Sequence, residues 1–93
     1  HQYRAQVEES KRLLYEACTR LGLRYWESAA NFVLIDAGAR AEALVQGSAA
    51  RGIYLRDRSK EAGLEGCIRV GAGIVAHTRR CITVFEEVLC GAA

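Results

Sequence analysis

The amino-acid sequence predicts an α+β domain in which two or three helices cover one face of a small mixed or antiparallel sheet. Three observations predict it. Segments 2–21, 40–51 and 75–89 repeat apolar residues at helical steps. Segments 31–36, 53–56 and 67–72 are short apolar runs bounded by glycine or charge, and read as strands. The resulting order is helix, strand, helix, strand, strand, helix (α-β-α-β-β-α). Elements with a single apolar side must bury it against one another, which gives two layers.

The first helix places Val7, Leu14, Cys18 and Leu21 on one face, with Glu8, Glu9, Lys11, Arg12, Glu16 and Arg20 on the others. Gly22 suits a left-handed cap at its end. Leu23–Trp26 is a further short strand candidate, and Asn31–Asp36 (NFVLID) a buried strand. Gly38 breaks the chain before a second helix, Arg40–Arg51, whose face is Ala41, Leu44, Val45 and Ala49. Gly52 ends it, and Ile53–Arg56 is the next strand. A parallel crossover over residues 31–56 is one way to join these parts. The polar stretch Asp57–Gly66 reads as a loop. Cys67–Ala72 alternates as a strand, and Val75–Leu89 buries Thr78, Cys81, Ile82, Phe85, Val88 and Leu89 as a helix.

Composition narrows the functional classes. Ninety-three residues, 51% apolar and 26% charged, make one ordered domain (1–93) near the lower size limit for an autonomous core. The net charge of +2 is too weak a field to imply nucleic acid or an anionic membrane, and the arginines are spread among acids. No apolar run reaches the length of a membrane span or a signal peptide. The chain contains no methionine and opens at His1, which reads as a piece of a longer protein. The cysteines, Cys18, Cys67, Cys81 and Cys90, lack metal-knuckle spacing and read as free buried thiols of a reducing cytoplasm. His77 and the two lysines, Lys11 and Lys60, read as solvated. Tyr25 and Trp26 read as packing residues. Asn31 is expected to satisfy backbone groups at its strand start.

The informative stretch for chemistry is Ile53–Arg69. Arg56 ends one strand and Arg69 lies inside the next. An arginine in an apolar strand is costly to bury unpaired, and its planar fork suits a carboxylate or phosphate. Neighbouring strands would bring the two onto one anion. The bland alternative has Arg69 facing solvent or pairing with Asp57.

Four motifs also carry a resemblance: Ala30-Asn31-Phe32, Arg51-Gly52, Arg56-Asp57-Arg58-Ser59 and Gly66-Cys67-Ile68-Arg69. Together they resemble the C-terminal small domain of histidinol-phosphate aminotransferases, fold-type I enzymes dependent on pyridoxal phosphate. The resemblance implies that Arg69 holds the anionic group of the substrates, and that Arg56 is a second phosphate contact. It implies amino transfer between glutamate and imidazole acetol phosphate, giving histidinol phosphate, in histidine biosynthesis. It implies a homodimer whose large domain carries pyridoxal phosphate and its lysine. The 93-residue chain alone is therefore expected to be inactive. Where the family often has Thr-Pro at the start of the last helix, this chain has Ile74-Val75. A weaker helix start, by about 1 kcal/mol, is expected. The alternatives are another aminotransferase or a decarboxylase of the superfamily, acting on an aromatic amino acid or a phosphorylated amino alcohol, or a free-standing α+β ligand-binding module.

Overall fold

Alternation along β2 (Phe32–Asp36) and β4 (Cys67–Gly71) sends Val33, Ile35, Ile68 and Val70 to one side of the sheet, where all four are buried. In the computed structural model, which describes residues 2–91, those side chains meet three helices. The helices are α1 (Gln2–Leu21), α2 (Ala41–Ala50) and α3 (Val75–Cys90). Leu14 and Cys18 of α1, Leu44 of α2, and Cys81 and Phe85 of α3 complete the core. Two short strands, β1 (Arg24–Trp26) and β3 (Arg56–Asp57), flank the central pair in the order β1-β2-β4-β3. Every pairing is antiparallel.

The helix ends follow their local chemistry. Gly22, at φ 74°, closes α1 with two bonds. Its own N–H donates to the Thr19 carbonyl, and Leu23 N–H donates to the Cys18 carbonyl at 2.8 Å. Gly47 lets α2 approach α3 closely, since a Cβ there would stand 2.9 Å from Val88. A short 3₁₀ turn, Gly38–Arg40, precedes α2.

Three expectations are corrected, and a fourth, the crossover, is met with one strand interposed. The segment Ile53–Arg56 pairs only at Arg56–Asp57, because Ile53 N–H is spent on the Ser48 carbonyl (2.9 Å), closing α2 instead of joining the sheet. β2 and β3 lie parallel in one sheet and are joined through α2, as the expected crossover requires, with β4 inserted antiparallel between them. Lys11 is not solvated: it is 5% exposed. It stands four residues after Val7 and three before Leu14, on the apolar stripe itself. Its Nζ donates to the Ser28 carbonyl (2.7 Å) and lies 3.3 Å from Glu8. Finally, three thiols are buried, but Cys90, in the last turn of α3, is exposed.

The start of α3 lacks a local cap, as expected, but is not left bare. Ile74 offers no side-chain cap. Gln6 of α1 supplies one from a distance, its Oε1 accepting from Val75 N–H at 2.7 Å. Ser10, wholly buried, donates its hydroxyl to the Gly73 carbonyl at 2.7 Å. The acceptor missing from the local sequence is provided by another helix.

Candidate functional site

The helices cover one face of the sheet and leave the other open. Strand alternation assigns the open face to Phe32, Leu34 and Asp36 of β2 and to Cys67, Arg69 and Gly71 of β4. The registers line up one row across all four strands: Trp26 opposite Leu34, Leu34 opposite Arg69, and Arg69 opposite Arg56. Residues directly opposite in an antiparallel pair have Cβ atoms about 5 Å apart. The two sequence-predicted arginines are therefore brought together as a cross-strand pair.

Their surroundings are unusual for two neighbouring surface cations. Among the described residues, neither Arg56 nor Arg69 forms a salt bridge with a carboxylate. Asp57, the acid nearest in sequence, turns its Oδ1 to Ser59 N–H at 2.8 Å, and hydrogen bonding from the Ser59 hydroxyl and N–H holds its carboxyl below the usual range. The pairing of Arg69 with Asp57 is thus absent. Arg69 is half-buried and rests over the Phe32 ring, with its guanidinium carbon 4.0 Å from the centroid. Arg56 is exposed.

The frame around this pair is firm. Ser28, in the loop before β2, is tied to α1 at both backbone groups: its N–H donates to the Tyr15 hydroxyl (3.1 Å), and its carbonyl receives Lys11. Tyr15 stacks on Tyr25 with centroids 4.8 Å apart. Tyr25 therefore packs as expected, whereas Trp26 is 40% exposed beside Leu34. Asn31 serves by its backbone alone, its carbonyl accepting from Ala72 N–H at 2.8 Å, while its side chain stays exposed. Gly66 allows β4 to start against the Asp36–Gly38 turn. Its φ is +81°, and a Cβ would lie 2.8 Å from Gly38 Cα.

The other candidates carry no site geometry. His77 is exposed in the first turn of α3. Burial raises the Cys18 and Cys81 thiols to about 12, and raises Cys67 with help from Asp36 and Glu65. These thiols stay protonated near neutrality, so they are poor nucleophiles. No group of three metal-ligating residues occurs among the described residues. No described helix is long and apolar enough to cross a membrane. Neither lysine fits a bond to a pyridoxal aldehyde: Lys11 is buried and engaged, and Lys60 is exposed on the loop after β3.

Comparison with known proteins follows the same lines. No family model matches the chain. It is 38% identical over 86 residues to a histidinol-phosphate aminotransferase of Symbiobacterium thermophilum, covering 92% of this chain and 24% of that protein. One from Thermoanaerobacter sp. is 41% identical over 83 residues, covering 89% and 23%. The histidinol-phosphate aminotransferase of Sinorhizobium meliloti, solved with pyridoxal-5'-phosphate, superposes with a TM-score of 0.80 at 26% identity, over 96% of this chain and 25% of that one. A decarboxylase from Sulfurospirillum multivorans gives 0.77 over 92% and 26%, and at 24% identity shows the fold alone. The chain belongs to the pyridoxal-phosphate-dependent aminotransferases, matching their C-terminal portion. Within that class its relatives by sequence are histidinol-phosphate aminotransferases, of whose length it spans about a quarter.

Sequence reasoning offered Arg56 and Arg69 on neighbouring strands, and the register sets them opposite each other. It missed Phe32 as the support of Arg69, and the Lys11–Ser28–Tyr15 clamp. A signal for the clamp was present, since Lys11 falls on the apolar stripe of α1.

Proposed function

We propose that this domain is the substrate-anion wall of a histidinol-phosphate aminotransferase. The observation that carries the reading is the directly opposed Arg56–Arg69 pair without a carboxylate partner. Like charges placed opposite each other destabilise a sheet, so a bound anion is what makes the arrangement favourable. A phosphomonoester, with a charge of about −1.5 to −2 near neutrality, matches two guanidinium forks better than a single carboxylate does. In this reading Arg69 holds the phosphate of histidinol phosphate and, in the other half-reaction, a carboxylate of glutamate. Arg56 adds its charge for the phosphate. Pyridoxal phosphate, held by a part of the enzyme outside this chain, supplies the carrier for the amino group. The contribution of the domain is orientation and exclusion of water as it closes on the bound anion. The full enzyme is a homodimer in this reading and works in the cytoplasm on histidine biosynthesis.

The test is made on the full-length enzyme. Arg69→Ala should lower kcat/KM for both substrates by roughly 10- to 100-fold, the scale of a lost charge-assisted bond. Arg56→Ala should act mainly on histidinol phosphate. Equal losses for glutamate and histidinol phosphate in the Arg56 variant would refute the division of roles.

A further inference from the structure

Resting on the reading that Arg69 binds the substrate anion, we infer that Phe32 is the positioning residue that sets the plane of the Arg69 guanidinium. An arginine can be oriented in two ways. A carboxylate partner fixes it but occupies the donors that a ligand needs and offsets its charge. An aromatic face fixes the plane and leaves the N–H groups free along the edge. Arg69 is held in the second way. Its guanidinium carbon lies 4.0 Å from the Phe32 centroid, and no carboxylate pairs with it among the described residues.

The register explains how the ring reaches Arg69. Phe32 is opposite Gly71, and Arg69 stands two residues before Gly71 on the same face of β4. Diagonal neighbours of this kind lie about 7–8 Å apart at the backbone, within the span of an aromatic side chain. Gly71 presents no side chain, and the space where its Cβ would stand is open, so the ring is free to lean toward Arg69. Leu34, directly opposite Arg69, is aliphatic and offers no quadrupole. The ring is itself anchored. The Ala72 N–H bond to the Asn31 carbonyl fixes the strand on one side of it, and the Ser28 clamp on α1 fixes the loop behind it. Phe32 thus connects the helix layer to the anion-binding fork.

The experiment measures substrate KM and kcat, and the Kd of inorganic phosphate, in the full-length enzyme. Phe32→Leu keeps an apolar side chain and removes the ring. It should raise KM for both anionic substrates, and the phosphate Kd, by about five-fold, with kcat changed less than about two-fold. Phe32→Tyr should restore wild-type values. Phe32→Ile serves if the leucine variant folds poorly, as β-branched residues suit the strand. In an Arg69→Ala background, Phe32→Leu should change none of these values, whereas a purely structural role would add its full effect. An unchanged KM and Kd in Phe32→Leu, or additive losses in the double variant, would overturn the inference and leave the role of Arg69 intact. An Arg69→Ala enzyme that binds phosphate and both substrates normally would overturn the inference together with the reading beneath it.

Discussion

Two glycines with the same backbone angle give a direct measure of what holds the start of β4 in place. Gly63 and Gly66 both have φ +81°. Alanine at either position meets the same left-handed penalty, about 1–2 kcal/mol, and the same small gain from a stiffer unfolded chain. Their surroundings differ. A Cβ on Gly63 would meet nothing within 4 Å, whereas one on Gly66 would stand 2.8 Å from Gly38 Cα, 3.0 Å from Gly38 N and 3.1 Å from Asp36 Oδ1. Those atoms are backbone or tethered to it, so the turn must open. Opening it strains the Ala37 N–H bond to the Gly66 carbonyl (2.8 Å) and the Gly38 N–H bond to Asp36 Oδ1 (2.9 Å). One neutral and one charge-assisted bond together contribute about 2–4 kcal/mol. Gly63→Ala should therefore cost about 1 kcal/mol and Gly66→Ala about 3–5 kcal/mol, a large share of the roughly 5–14 kcal/mol expected for a domain of this size. Urea unfolding of both variants followed by circular dichroism reads the difference. Losses within about 0.5 kcal/mol of each other would show that the Asp36–Gly38 turn is not what requires glycine at 66.

Two further outcomes follow from the core. The Cys18 and Cys81 thiols, raised to about 12 in the folded chain, ionise near 9 once unfolded. The folded state therefore keeps protons that the unfolded state loses, so stability is level below about pH 9 and falls above it by up to about 1.4 kcal/mol per pH unit per thiol. Urea midpoints that stay level to pH 10.5 would contradict this, and a disulfide-exchange reagent at pH 8 should titrate Cys90 quickly and the buried thiols only on unfolding. Ser48 is wholly buried, and its hydroxyl has no hydrogen-bond partner among the described residues. Ser48→Ala should stabilise the chain by about 1 kcal/mol through removal of that hydroxyl and better helix propensity, and a loss of stability would reveal a partner for it.

The parts of this fold written in local periodicity were legible in the sequence. The three helices fall within a residue or two of their expected bounds, because their apolar stripes are long enough to define a face. Strands were less legible because their length depends on what a neighbour's backbone is doing. Ile53 has a strand-forming side chain, yet its N–H closes a helix. Asn31 is a residue that often bonds through its side chain, yet its carbonyl makes the only bond described for it. Lys11 was misjudged by residue type, although its spacing from Val7 and Leu14 placed it in the stripe; a long stem can pack there while its ammonium reaches the Ser28 carbonyl.

The candidate site shows where such reading stops. That two arginines meet follows from the adjacency of β3 and β4, which the polar link between them, residues 58–66, permits without requiring. That they meet without a carboxylate depends on the β3 register, which sets Asp57 opposite Ile68 and off the arginine row, and on Phe32 reaching diagonally past a glycine. Neither is a spacing rule. Both are three-dimensional choices among partners that the sequence offers equally. The same holds for the last helix, whose first N–H finds Gln6 across 69 residues of chain in place of a local cap. Because Gln6 and Ser10 bind the segment that follows β4, and Lys11 and Tyr15 bind the one that precedes β2, a single helix grips both approaches to the open face. Movement of α1 would carry Phe32 and Arg69 together, which keeps the ring and the fork in register.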